Sequence, residues 1–180
     1  MILEIDDPSL VVLVGAAGAG KSTFAARHFS ADEILSSDRF RAIVSGDEAN
    51  QAATRAAFGA LHAALERRLA NGRLAVIDAT SIEPAARRAL VARAAAAGIP
   101  ACAIVLDLPA ATVVARNAAR PARVVDMAVV QRQLQGLRIA LDGPAPPIDR
   151  DGFAAIMVLR DAAEVDEVTI RRRPAVGSPR

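Results

Sequence analysis

Short apolar runs alternate along the chain with longer stretches that have helical periodicity. The apolar runs cover residues 9–14, 33–37, 74–78, 101–108 and 153–159. The helical stretches cover residues 21–29, 50–70, 84–97, 110–119 and 124–141. Strands that alternate with helices favour a parallel sheet covered on both faces. We therefore expect an α/β fold, a three-layer sandwich with a mostly parallel five-stranded sheet.

Turn-forming residues mark where these elements begin and end. Asn71-Gly72 is a stop signal for the second helix, and Ser81 is a candidate cap for the helix that starts near Pro84. Arg120-Pro121 separates the last two helical stretches, because proline disfavours helix in the residue before it. The chain should bend there.

Length and apolar content indicate one domain. The chain has 180 residues, of which 53% are hydrophobic, enough for a single α/β core. We expect the domain to span residues 1–174 and residues 175–180 to form a disordered tail. No phosphatase or ligase segment is expected within this length.

Cysteine usage indicates the cellular compartment, whereas net charge does not identify a binding partner. Twenty-two basic and 20 acidic residues leave a net charge of +2, which by itself does not indicate a polyanionic partner. The single cysteine, Cys102, lies in an apolar run and has no disulfide partner, as in a reducing compartment. The first residues resemble neither a signal peptide nor a membrane span. We expect a cytoplasmic protein without a membrane partner; a homo-oligomer remains possible.

The stretch VVLVGAAGAGKST, residues 11–23, contains the only lysine of the chain. Its spacing fits G-x-x-x-x-G-K-[ST] after an apolar strand, which predicts a phosphate-binding loop followed by a helix. A compact ammonium reaches the β- and γ-phosphates of a nucleotide better than a planar guanidinium does. The residues expected to hold the nucleotide in this loop are Gly15, Gly18, Ala19, Gly20, Lys21, Ser22 and Thr23.

Two residues are candidates for holding Mg²⁺ beside the nucleotide. Ser22 would offer its hydroxyl, and Asp78, at the end of the run LAVID, would support the metal through water. Asp78 has a second interpretation as a turn residue that ends its strand. Thr80 is either a substrate contact or a helix cap.

The stretch EILSSDRFR places Asp38 and Arg41 just after another strand. Ligands of open α/β sheets bind at the carboxyl ends of the strands, so both side chains should face the phosphate-binding loop. Asp38 could accept the proton of an incoming hydroxyl, and Arg41 could hold a carboxylate or phosphate. The alternative is that Asp38 caps a helix and Arg41 is its surface partner.

Arginines are concentrated between residues 109 and 141, where five of them accompany a single acid, Asp126. A basic, bent helix pair between the last two strands is where a P-loop kinase carries its lid. Lid arginines can neutralise charge on a transferred phosphoryl group and exclude water. Arg116, Arg120 and Arg123 are the candidates; the alternative is a solvated helix face.

Motifs along nearly the whole chain resemble the polynucleotide kinase family. They are GAAGAGKSTFAARHF, EILSSDRFR, SGDEANQAATRAAF, LHAALERRLANGRLAVIDAT and AIVLDLPAATVVARNAARPAR. The strongest resemblance is to the kinase module of bacterial RNA-repair polynucleotide kinase-phosphatases. The resemblance implies a P-loop kinase-like fold with a helical lid at about residues 109–141.

The resemblance also implies a reaction and a set of roles. The γ-phosphate of ATP or another NTP would pass to a 5′-hydroxyl end of RNA or DNA with Mg²⁺, and separate phosphatase or ligase repair partners are possible. Asp38 would be the general base, and Arg41 would lie near the acceptor's 3′-phosphate, with Thr80 assisting. Arg116 and Arg123 would reach the NTP phosphates.

Two other functions stay open from the sequence. A small-molecule P-loop kinase, acting on a sugar, nucleoside or antibiotic hydroxyl, would share the loop and the acidic base. A nucleotide-sensing module without turnover would share only the loop. With five phenylalanines and no tyrosine or tryptophan, we do not expect a base-stacking platform, and a polynucleotide should be held by its phosphates.

Overall fold

The computed structural model describes residues 1–45, 54–121 and 124–174. The strands are β1 (Ile2–Asp7), β2 (Leu10–Val14), β3 (Ile34–Ser36), β4 (Ala75–Asp78), β5 (Ala101–Leu106), β6 (Ala155–Leu159) and β7 (Thr169–Pro174). The helices are α1 (Lys21–His28), α2 (Ser37–Ser45), α3 (Thr54–Ala70), α4 (Pro84–Ala96), α5 (Ala110–Ala118), α6 (Met127–Ala140) and α7 (Ala162–Glu167), with a 3₁₀ helix at Pro147–Asp151.

Five strands form one sheet in the order β3-β4-β2-β5-β6, and their pairings are parallel. The central strands β2 and β5 are buried along their whole length. Continuous burial explains why both read as unbroken apolar runs rather than as alternating patterns. The predicted α/β fold with a parallel five-stranded sheet is confirmed.

Two apolar cores lie on opposite faces of this sheet. One face contacts α1 through Phe24 and Ala25, together with residues of β1 and α7. The other face contacts α3, α4 and α6. Leu61, Leu65 and Leu69 recur every four residues on α3 and are almost fully buried, which is why that helix packs by one stripe. The three layers follow from these two cores.

The ends of the described chain form a second sheet that the apolar pattern did not predict. Strand β1 pairs in parallel with β7, from Ile2 opposite Thr169 to Asp7 opposite Pro174. Only Leu3 and Ile5 of β1 are buried, while its acids form ion pairs with the arginines of β7. The strand signal is weak because charged side chains alternate with so few apolar ones.

Helix starts differ from the expectations at two places. Helix α2 begins at Ser37, so Asp38 lies in its first turn rather than at the cap. The cap of α4 is Glu83, not Ser81, whose backbone has a left-handed φ of 48°. The carbonyl oxygen of Ser81 instead accepts a hydrogen bond from Arg87, a buried residue of α4.

The break between the last two long helices is confirmed. Helix α5 ends at Ala118 and α6 begins at Met127, on either side of Arg120-Pro121. Predictions for residues 50–53, for Arg123 and for the tail 175–180 lie outside the described residues. No described helix is long and apolar enough to cross a membrane.

Candidate active site

A cleft of about 1040 Å³ opens at the carboxyl ends of β2, β3 and β4. Its walls come from the loop after β2, the start of α2, and the pair α5–α6. The predicted site residues that line it are Gly18, Gly20, Lys21, Ser22, Thr23, Asp38, Arg41, Asp78, Thr80, Arg116 and Arg120. The structure therefore brings residues of several separate motifs together at one cleft.

The loop between β2 and α1 is built on close backbone contacts. Gly18 has a φ of 93°, and a Cβ there would overlap the Val113 carbonyl oxygen and lie 3.0 Å from the Asn117 backbone nitrogen. Only glycine lets the loop lie this near to α5. The amides of Gly15 and Ala19 pair inside the protein, with the carbonyls of Thr80 and Ala16, and neither residue lines the cleft.

Lys21 is buried at the start of α1. Its Nζ donates to the carbonyl oxygens of Gly15 and Ala16, at 2.9 Å each. Burial lowers the pKa of Lys21 to about 8, although the Asp78 carboxylate opposes that shift, and the Arg120 charge adds to it. The loop thus fixes the ammonium at its first residues, beside the helix N-terminus that favours anions.

Ser22 and Asp78 are the residues of the cleft that could hold Mg²⁺. Both line the cleft, and Asp78 is buried at the end of β4, close enough to Lys21 for its charge to act on that pKa. A hydroxyl and a carboxylate are oxygen ligands of the kind that Mg²⁺ takes, and nucleotide phosphates and waters would complete its shell. The described residues contain no group of three acids, histidines or cysteines that could hold a metal without a nucleotide.

Asp38 and Arg41 form an ion pair, and both line the same cleft as the phosphate-binding loop. The two side chains are i and i+3 on α2, whose start is set by β3. Ser36 of β3 lies opposite Asp78 of β4, so the two acids begin from neighbouring strand ends. The Arg41 side chain is 10% exposed and that of Asp38 is 37% exposed, so the guanidinium is inside and the carboxylate reaches the cleft.

Thr80 is held in place through its backbone. Its carbonyl oxygen accepts a hydrogen bond of 3.0 Å from the Gly15 amide, which joins the loop after β4 to the phosphate-binding loop. Behind it, Arg87 donates to the carbonyls of Ser81 and Ile82 and forms a buried ion pair with Asp151. The Thr80 side chain therefore lines the cleft from a fixed segment.

Two predicted lid arginines line the cleft, and one of them lies against the phosphate-binding loop. Arg116 Nη1 lies 3.6 Å from the position that a Cβ would take at Gly20, so the guanidinium is directly above the loop. Arg120 follows the end of α5, and its charge acts on Lys21. Arg123, the third candidate, remains a prediction because it lies outside the described residues.

Sequence reasoning missed one side chain of this site, Gln133, and one buried beside it, Asn117. Gln133 of α6 accepts a hydrogen bond of 2.8 Å from the Ala17 amide, and it lines the cleft. Asn117 of α5 is fully buried and exchanges two hydrogen bonds with the backbone of Val125. Asn117 stands in the quoted motif beside Arg116, which was a usable signal, whereas nothing local distinguishes Gln133 from other helix glutamines.

The comparison of the sequence with curated proteins gives no match. Solved structures are similar in fold. Kti12 of Chaetomium thermophilum, in complex with ADP-AlF3, is 18% identical with a TM-score of 0.62, over 88% of this chain and 94% of that one. A sugar kinase of Janibacter is 21% identical with a TM-score of 0.56, over 85% of each chain.

A chain of the Pnkp1/Rnl/Hen1 complex is 27% identical with a TM-score of 0.54, over 67% of this chain and 42% of that one. A family model described as an AAA domain matches residues 10–140, from β2 to the end of α6. Because this match covers most of the sequence, the chain belongs to the AAA domain family, as a protein of the P-loop kinase type.

Proposed function

We propose that the chain is an ATP-dependent polynucleotide 5′-hydroxyl kinase. It would transfer the γ-phosphate of ATP, or of another NTP, to the 5′-hydroxyl end of RNA or DNA, and would require Mg²⁺. The observation that carries this proposal is the Asp38–Arg41 ion pair, which lines the same cleft as Lys21. The sequence motifs that resemble polynucleotide kinases, and the 27% identity to a chain of the Pnkp1/Rnl/Hen1 complex, support it.

Each side chain has a defined task in this transfer. The acceptor oxygen forms a bond to the γ-phosphorus while the bond to the bridging oxygen of the leaving ADP breaks, and the hydroxyl proton passes to Asp38. Lys21, Arg116 and Arg120 supply positive charge to the phosphates. Mg²⁺ bound near Ser22 and Asp78 would neutralise further charge on the phosphate oxygens.

The acceptor side of the cleft fits a ligand that carries its own phosphates. Arg41 lines the cleft with a largely buried guanidinium that is paired with Asp38, and a guanidinium can bind a phosphate through two donors. Phe24 and Phe58 are the aromatic residues among the described residues that line the cleft, so these residues offer little surface for stacking successive bases. A cleft of about 1040 Å³ also has room for a second substrate beside the nucleotide.

The test is transfer of label from γ-labelled ATP to 5′-hydroxyl RNA and DNA oligonucleotides, beside a panel of sugars, nucleosides and antibiotics. Asp38→Asn should lower the rate by roughly 10²-fold or more, because the proton acceptor is lost, while ATP binding is kept. Asp142→Asn, which changes an exposed acid that does not line the cleft, is the matched control and should leave the rate unchanged.

Other outcomes identify the competing functions. Label on a small hydroxyl compound but not on an oligonucleotide would make the protein a small-molecule kinase. Binding of ATP without consumption in the presence of every acceptor would indicate a sensing module. Transfer that is unaffected by Asp38→Asn would contradict the assigned mechanism.

A further inference from the structure

Helix α6 contacts the phosphate-binding loop through one polar side chain. The Oε1 atom of Gln133 accepts a hydrogen bond of 2.8 Å from the backbone N–H of Ala17, the third residue of the loop. Gln133 is partly buried and lines the same cleft as Lys21, Asp38 and Arg116. None of the roles described above uses it.

Contacts on both sides of Gln133 fix the helix that carries it. Asp126 caps α6 by accepting from the amides of Ala128 and Val129. Asn117 holds Val125, just before the cap, by two hydrogen bonds. Three residues beyond Gln133, Gly136 lies against the loop after β4, where an added Cβ would come within 2.7 Å of Ile82 Cγ2. Gln133 therefore projects from a rigid element, as precise positioning requires.

The contact marks the γ-phosphate end of the loop. Lys21 Nζ donates to the carbonyls of Gly15 and Ala16, so the ammonium lies beside the residues that precede Ala17. In P-loop enzymes this ammonium serves the β- and γ-phosphates, whereas the helix N-terminus holds the phosphates nearer the nucleoside. The Gln133 carboxamide is thus next to the position of the terminal phosphate.

The hydrogen bond to Ala17 also fixes which way the carboxamide faces. A backbone N–H can only donate, so the carboxamide must turn its oxygen toward Ala17. Its NH₂ group then offers two donors elsewhere, and within the described part of the chain no acceptor bonds to it. A neutral donor set beside lysine and arginine in a polar cleft suits an anionic oxygen.

We propose that Gln133 donates its side-chain NH₂ to the γ-phosphate of the bound NTP and thereby discriminates NTP from NDP. This inference rests on the proposed function only in that an NTP is the phosphoryl donor; it does not depend on the acceptor. Gln133 contacts the transferred group, while Ala17 sets the orientation of its amide.

Nucleotide binding without any acceptor tests the inference. Titration calorimetry with Mg²⁺ compares ADP with the β,γ-imido analogue of ATP. Gln133→Glu keeps an oxygen for the Ala17 N–H but replaces the donors by a carboxylate. The ratio of analogue affinity to ADP affinity should fall by roughly tenfold or more, the scale of a lost hydrogen bond to a charged group.

Two further variants separate this role from a structural one. Gln133→Met removes donors and acceptor without adding charge and should lower the same ratio. Gln135→Glu adds the same charge on the exposed side of α6 and should leave the ratio unchanged. Equal weakening of both nucleotides by Gln133→Met, with a wild-type ratio, would mean that Gln133 only holds the helix in place.

The proposal would also be overturned if Gln133→Glu kept the wild-type ratio of analogue affinity to ADP affinity. Should the charged variant fail to fold, the ratio in Gln133→Met decides. Because the readout is nucleotide affinity, a failure of 5′-hydroxyl phosphorylation would refute the proposed function without affecting this result.

Discussion

At the residue scale, Lys21 combines a buried position with a compact charge. Its ammonium is held by two carbonyl oxygens of the loop, and the surrounding protein leaves it 8% exposed. A guanidinium is larger and planar, and it directs its donors in a fixed fork. The space that holds the Lys21 ammonium therefore limits how an arginine side chain could be placed there.

We predict that Lys21→Arg binds ATP within a few-fold of the wild-type affinity but transfers phosphate roughly 10²-fold more slowly, since small misplacements at the reacting phosphate have effects of this size. Calorimetry gives the first quantity and labelled transfer the second. Lys21→Met, which removes the charge, should weaken ATP binding itself. Near-normal turnover of Lys21→Arg would show that a compact charge is not needed.

Most single residues of the site could be predicted from the sequence, because each is a charged residue or a glycine at the spacing of a motif. Lys21, Asp38 and Arg116 belong to this group, and the structure brings them to one cleft. Gln133 was not readable, because its contact with Ala17 joins residues 116 apart in sequence. Such a pairing depends on how α6 packs, which no local pattern encodes.

At the element scale, α6 depends on a close approach that one residue permits. Gly136 lies in the middle of the helix, where alanine would normally be the better helix former. Its hydrogen is directed at Ile82, a buried β-branched side chain that has little freedom to move away. Overpacking should therefore outweigh the gain in helix propensity.

We predict that Gly136→Ala lowers the free energy of unfolding by about 1 kcal/mol net, the balance of an overpacking cost of about 2 kcal/mol and a propensity gain of about 1 kcal/mol. Gly59→Ala is the matched control, because Gly59 lies within α3 with nothing near its missing Cβ. It should raise stability by about 0.5–1 kcal/mol. Urea unfolding measures both, and stabilisation by both changes would exclude a tight contact at Ile82.

The elements that the sequence predicted are those whose burial produces a long apolar signal. Strands β2 and β5 and helix α3 are examples. The prediction that Ser81 caps α4 was wrong. Its carbonyl oxygen, and not its hydroxyl, makes the contact with α4, by accepting a hydrogen bond from Arg87. Strands β1 and β7 were missed because their pairing is between opposite ends of the described chain and relies on ion pairs.

At the scale of the whole molecule, one buried ion pair joins three segments that are far apart in sequence. Arg87 of α4 and Asp151 of the 3₁₀ helix are both inaccessible to solvent, with 2.6 Å between Nε and Oδ2. The same guanidinium contacts the loop after β4, next to Thr80. The pair links the connection that follows α6 to the wall of the cleft.

We predict that Asp151→Asn lowers the free energy of unfolding by about 3–5 kcal/mol, because it leaves the Arg87 charge buried without its partner. Asp149→Asn, at an exposed position of the same 3₁₀ helix, should change stability by less than about 0.5 kcal/mol. Chemical denaturation measures both variants. Equal stability of the two would mean that water compensates the Arg87 charge.

The pairing of β1 with β7 also determines how the molecule bears mechanical load. The two strands are parallel, so residue 2 and residue 174 lie at opposite ends of the small sheet. A force that pulls these two ends apart slides one strand along the other. The hydrogen bonds between the strands are then loaded in shear, all at the same time. The hydrogen bonds between β1 and β7 cannot break one at a time, so we expect this small charged sheet to resist a force that pulls the two ends apart.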